Sequence, residues 1–159
     1  MMDTSMKRRI LLKGSLAASA LSVAVGAGLL TPKAVLAAWS ETAFTAKQIP
    51  DALNALYGSN SLEEVDSINI KAPDIAENGA VVPVTVSTSM GNVESISVIA
   101  AENPVPLIAS FNLGEGGVPF VSTRIKMGKS GDVIAVVKAD GKLFSTRKPV
   151  KVTIGGCGG

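Results

Sequence analysis

The sequence predicts an all-β domain, folded as a two-layer antiparallel sandwich. Three observations carry this expectation. Runs in which apolar and polar residues alternate with a period of two fill most of the chain after Ser67. Turn residues separate these runs at intervals of about 8–12 residues, the spacing of an immunoglobulin-like sandwich of about seven strands. One stripe of helical period precedes the strands, and a glycine-rich tail follows them.

In chain order, residues 1–37 are set aside first. Lys7-Arg8-Arg9-Ile10-Leu11-Leu12-Lys13 resembles the twin-arginine export motif, with Arg8 and Arg9 as the paired arginines. Gly14 to Leu30 is moderately apolar, and Val35-Leu36-Ala37 offers small residues for cleavage. The glycine-broken run falls short of the ~20 apolar residues that a membrane span needs. The expectation is a signal peptide removed after Ala37, export in the folded state, and a periplasmic protein free of the membrane. The domains that remain are 38–154, the β-sandwich, and 155–159, the tail.

Charge changes meaning without the leader. Five of the 15 Lys+Arg and one of the 13 Asp+Glu lie in residues 1–37, leaving ten basic and twelve acidic residues and a net charge of −2. No basic patch then suggests nucleic acid.

The spacing of Ile49, Leu53, Leu56 and Tyr57 predicts one N-terminal helix near 47–57, with Pro50 suited to its first turn and Gly58 to its stop. Strands follow. Ile68 and Ile70 alternate with polar residues, as do Val82, Val84 and Val86, then Ile96, Val98 and Ala100. Leu107, Ala109, Phe111 and Leu113 form a fourth set, and Val121, Thr123, Ile125 and Met127 a fifth. Val133–Val137 is apolar on both faces, as a central strand would be. Val150, Val152 and Ile154 form the last set and lead into the tail. Asn78-Gly79, Met90-Gly91-Asn92, Gly114–Gly117, Ser130-Gly131 and Asp140-Gly141 read as turns, and Asp140-Gly141 is a strong hairpin signal. Gly114–Gly117 lacks the lysine and following helix of a phosphate loop, and reads as a hairpin tip. Pro83, Pro119 and Pro149 each remove a backbone donor and favour strand edges or breaks. The Cys…Trp…Cys signature of true immunoglobulin domains is absent; the only tryptophan is Trp39.

The tail, Gly155-Gly156-Cys157-Gly158-Gly159, holds the sole cysteine. Glycine accepts most backbone conformations and resists settling into helix or strand, so a flexible arm is expected. From Ile154 to Cys157 the reach is roughly 10 Å. Prenylation needs the cysteine fourth from the end, and Cys157 is third. With no histidine and no second cysteine, neither a metal shell nor a Cys–His nucleophile can form within the chain. The residues therefore point to no catalytic group, no metal and no cofactor on this chain. A free thiol is mostly protonated at neutral pH, and nothing beside Cys157 activates it. Its chemistry falls to other proteins.

The leader, the helix, the all-β domain and the terminal Gly-Gly-Cys-Gly-Gly together resemble the SoxY family, the sulfur-carrier subunits of thiosulfate-oxidising systems. Ile75-Ala76-Glu77-Asn78-Gly79 followed by Val82-Pro83-Val84, Glu102-Asn103-Pro104, and Ser122-Thr123-Arg124-Ile125-Lys126 are similar to the family as well. The resemblance implies that Cys157 covalently holds thiosulfate-derived sulfur while separate enzymes attach, oxidise and hydrolyse it. It also implies a heterodimer with SoxZ, a second small β-sandwich. It assigns no catalytic role to Arg124, which reads as a solvated strand residue. Two other classes stay open on the residues alone: a structural or adhesion sandwich joined through an intermolecular Cys157 disulfide, and a thiol enzyme with an unusual base. A stable homodimer on non-reducing gels would mark the former, and activity of the isolated protein on thiosulfate the latter.

Overall fold

The computed structural model describes residues 40–114 and 116–153. The leader with Arg8 and Arg9, Trp39, and Ile154 with the tail lie outside the described residues.

Two short helices open the described chain, α1 (Glu41–Thr45) and α2 (Ile49–Tyr57). α1 is one turn long, capped by Ser40, whose Oγ accepts from the Ala43 N–H at 3.4 Å. It is too short to leave a periodic pattern, and the sequence predicts only α2. In α2 the expected punctuation is present: Pro50 sits in the first turn, and Gly58 closes the helix at φ 74°, its N–H donating to the Asn54 carbonyl.

Nine strands follow: β1 (Leu62–Glu64), β2 (Ile68–Lys71), β3 (Ile75–Ala76), β4 (Val82–Thr88), β5 (Val93–Ala100), β6 (Leu107–Asn112), β7 (Phe120–Ile125), β8 (Gly131–Ala139) and β9 (Lys142–Val152). A six-stranded sheet has the order β1-β9-β8-β5-β6, with β3 also paired to β9, and a three-stranded sheet has the order β2-β4-β7. The predicted sandwich is borne out. The structure adds β1 and β3, which at three and two residues are too short to show a period, and which pair in parallel with β9. It also extends β9 back to Lys142 through a stretch whose Arg147, Lys148 and Pro149 hide the alternation.

The alternation does its expected work in the core. Val82, Val84 and Val86 of β4 point between the sheets and meet Ile96 and Val98 of β5, Val133, Ala135 and Val137 of β8, and Val150 of β9. β8 is apolar on both faces because both are covered. Its Ile134 and Val136 turn the other way, toward Leu53, Ala52 and Ala43 of the helices. The helices thus form a third layer on the six-stranded sheet.

Turns and prolines fall where backbone chemistry requires. Asp140 and Gly141 both have positive φ, 49° and 72°, and join β8 to β9 as a two-residue hairpin. Pro83 lies on β4 beyond the last residue paired by β2, and Pro149 lies on β9 between the stretches paired by β1 and β3. Neither position asks for a donor on its outer side. Gly117 N–H donates to the Gly114 carbonyl, and Gly116, at φ 73°, helps the connection from β6 to β7 turn. Gly114–Gly117 is not a hairpin tip: β6 and β7 belong to different sheets, so the connection carries the chain across the sandwich.

Candidate functional site: the root of the C-terminal tail

The predicted site residues Gly155, Gly156, Cys157, Gly158 and Gly159 lie outside the described residues, and the surface from which they extend is the end of β9. β9 delivers the chain to Thr153, the last described residue. On one flank β3 holds it. Ile75 and Ala76 lie in register with Lys151 and Val152, Lys151 N–H donates to the Asp74 carbonyl at 2.9 Å, and Thr153 N–H donates to the Ala76 carbonyl at 3.0 Å. On the other flank Ser130 Oγ accepts from Val152 N–H at 2.9 Å and lies 3.3 Å from the Val152 carbonyl, to which it can donate. The Asp74 carboxylate meets Lys148 Nζ of β9 at 2.9 Å, though both groups keep solvent access and the pair adds little. The backbone bonds do the anchoring.

A second tier holds the clamp in place. The Gly79 carbonyl accepts from Met127 N–H at 2.7 Å. A Cβ at residue 79 would run into the Met127 carbonyl oxygen and the Val152 side chain, so the approach is open only to glycine. Met127 is itself buried, and the strand predicted to continue to it ends at Ile125. Asn103 pins the neighbouring loop: its side-chain amide donates to the Lys126 carbonyl at 2.7 Å and accepts from Gly128 N–H at 2.9 Å. Gly131 packs against Glu102 with no room for a side chain.

Three of the stretches singled out in the sequence thus meet at one end of the sandwich. Residues 75–79 clamp β9, residues 102–104 hold the 126–128 loop, and residues 122–126 lead into that loop. Periodicity could not have found this convergence, because the three are far apart in the chain and their contacts run through backbone groups and the Asn103 amide. Arg124 is exposed on β7, paired in register with Pro83, as expected of a solvated strand residue.

From Thr153 to Cys157 is four residues, a span of about 14 Å at most. The exposed charges around the root are mixed: Asp74, Glu77 and Glu102 against Lys126, Lys129 and Lys151. Among the described residues no group of three or more His, Cys, Asp or Glu could hold a metal ion, and no helix is long and apolar enough to cross a membrane. Glu94, whose pKa is displaced, lies at the opposite end of the fold. Its Lys138 partner, at 2.6 Å, and the Gly141 N–H hold it below the ordinary value of 4.5.

The family described as sulfur oxidation protein SoxY matches residues 53–157, a span that ends on Cys157. The chain belongs to the SoxY family. Among solved structures it is similar to the sulfur carrier protein SoxY from Chlorobium limicola f thiosulfatophilum, at 47% identity, covering 65% of this chain and 94% of that one with a TM-score of 0.59. It is also similar to a superoxide reductase (neelaredoxin) from Ignicoccus hospitalis, at 19% identity over 58% of this chain and 94% of that one, TM-score 0.51. At that identity the second likeness concerns the fold alone. No curated protein matches the sequence. Within the SoxY match the tail root is the β9 terminus just described, and the match reaches beyond it to the thiol.

Proposed function

We propose that the protein is a sulfur carrier, holding thiosulfate-derived sulfur on Cys157 and presenting it to separate enzymes. The observation that carries this reading is the SoxY match running through to Cys157, the sole cysteine, four residues past Thr153, where the end of β9 is clamped on both flanks. A clamped root and a short glycine tail suit delivery: the folded domain stays fixed while the sulfur enters another protein's site. Four glycines let a narrow chain pass into differently shaped channels, and the ordering entropy met at each docking favours transient binding.

The chemistry also needs partners. Joining the Cys157 thiol to thiosulfate forms one S–S bond and releases one proton and two electrons, and this chain carries no proposed electron acceptor. A separate redox enzyme therefore attaches the sulfur, a hydrolase releases sulfate from the sulfonate end, and another oxidises the remaining sulfane. The carrier requires no cofactor of its own and acts in the periplasm after twin-arginine export, as a heterodimer with a SoxZ-like β-sandwich that covers open sheet edges.

The test is Cys157→Ser. Secretion, thermal stability and heterodimer formation stay at wild-type level, while thiosulfate-dependent oxygen uptake in the reconstituted system is lost. Intact mass of wild-type protein from thiosulfate-grown cells shows sulfur and sulfonate adducts that reductant removes. Retained turnover in the serine variant would falsify the carrier reading.

A further inference from the structure

The clamp at the tail root presents two apolar side chains to solvent. Ile75 is 58% exposed and Val81 50% exposed. Ile75 lies in register with Lys151, one pair before Ala76 and Val152, and the Ala76 carbonyl is the acceptor that fixes Thr153. Val81 closes the turn that begins at Asn78, donating its N–H to the Asn78 carbonyl at 3.2 Å, two residues after the Gly79 backbone that sits against Val152. Their chain neighbours Ala76 and Val82 go into the core; these two do not. Neither belongs to the buried core or to the apolar residues packed against it.

Tail length says what covers them. Cys157 can lie no more than about 14 Å from Thr153. An enzyme that draws Cys157 to a reacting centre at the bottom of a channel uses most of that length inside the channel. Its entrance must then come down on the root itself, and the residues beside Thr153 are covered whatever the direction of approach. A docking site remote from the root could not relieve this requirement. We propose that Ile75 and Val81 are a docking collar that receives an apolar rim around the active-site entrance of the enzyme acting on the sulfur at Cys157. The proposal rests on the carrier reading and names the surface by which the carrier is recognised.

Charge supports the apolar pair as the source of contact. Asp74, Glu77 and Glu102 stand among Lys126, Lys129 and Lys151, so no single sign dominates the root and long-range steering is weak. The fitting partner has an apolar rim with both signs of charge outside it, and its affinity for the carrier changes little with salt.

The experiment uses the mature full-length carrier with the purified thiosulfate-coupling and sulfate-releasing enzymes of the same host, reading turnover against carrier concentration. Ile75→Ser with Val81→Ser raises the KM for carrier about tenfold and leaves kcat unchanged, because the lost contact is made equally in ground and transition states. Val118→Ser with Phe120→Ser, at the far end of β7, leaves both constants unchanged. The alkylation rate of reduced Cys157 by iodoacetamide is equal in all three proteins. An unchanged KM in the Ile75/Val81 variant, with Cys157→Ser inactive, overturns the collar and leaves the carrier reading standing. Turnover by Cys157→Ser overturns the carrier reading instead. Loss of a co-purifying subunit in the Ile75/Val81 variant would make the pair a subunit interface and overturn the collar.

Discussion

Tyr57→Phe should cost more than a surface hydroxyl is worth. Tyr57 ends α2, and its ring packs with the apolar residues between helices and sheet. Its Oη lies 2.6 Å from Ser97 Oγ and accepts from Ser95 Oγ at 3.2 Å. Both serines are buried, Ser97 at 0% and Ser95 at 3% exposure, on the face of β5 that the helices cover. Ser97 keeps a second partner in Ser110, at 2.9 Å, but Ser95 loses the phenol as its acceptor. Phenylalanine fills the ring volume, so no cavity term enters. The cost is that of leaving a buried hydroxyl unpaired, about 1–3 kcal/mol, and we take about 1.5 kcal/mol. For a domain of this size that lowers Tm by about 6 °C. Urea denaturation followed by circular dichroism measures it. Adding Ser95→Ala to Tyr57→Phe should recover part of the loss, because the orphaned hydroxyl goes with it. A single-variant loss below about 0.3 kcal/mol, or no recovery in the double variant, would refute the reasoning. Sulfur loading on Cys157 should be unchanged in both variants, since the network is not part of the tail root.

Gly79→Ala places a methyl against the Met127 carbonyl and Val152, and should destabilise the domain by about 1–3 kcal/mol, read in the same denaturation assay, while Gly91→Ala, where nothing lies near, is close to neutral apart from backbone entropy. Glu94 has a depressed pKa in the fold, so its contribution is present above the ordinary value of 4.5 and is lost as pH falls through the lower folded value. The stability difference between wild type and Glu94→Gln should therefore be largest at neutral pH and vanish in acid, and a difference that grew on acidification would contradict the assignment. Arg8→Lys with Arg9→Lys should leave precursor in the cytoplasm, and normal periplasmic accumulation on fractionation would count against twin-arginine export. Replacing Gly155 and Gly156 by Pro fixes φ at both positions, so sulfur transfer should slow without stopping, with alkylation of Cys157 preserved; unaltered transfer kinetics would remove the need for a pliant tail.

What the sequence determined by itself was whatever is written in local periodicity or in single residues. Val82-Val84-Val86 and Ile96-Val98-Ala100 announced their strands because each buries one face. Asp140-Gly141 announced its hairpin because two successive positive φ angles suit few residue pairs. Pro83 and Pro149 announced unpaired backbone. Cys157 announced a thiol without partners, because no histidine or second cysteine exists to meet it. Tertiary structure alone decided the rest, since the deciding contacts join residues far apart and are made largely by backbone atoms. β3 is two residues long and becomes a strand only because β9 is there to pair with it. Gly114–Gly117 could not reveal from its own residues whether it returned the chain within one sheet or carried it to the other. Tyr57 looked like one more member of an apolar stripe until β5 brought Ser95 and Ser97 beneath its hydroxyl. The clamp on Val152 and Thr153 needs Ser130 and Ala76 on opposite flanks of one strand, a juxtaposition that no local pattern encodes.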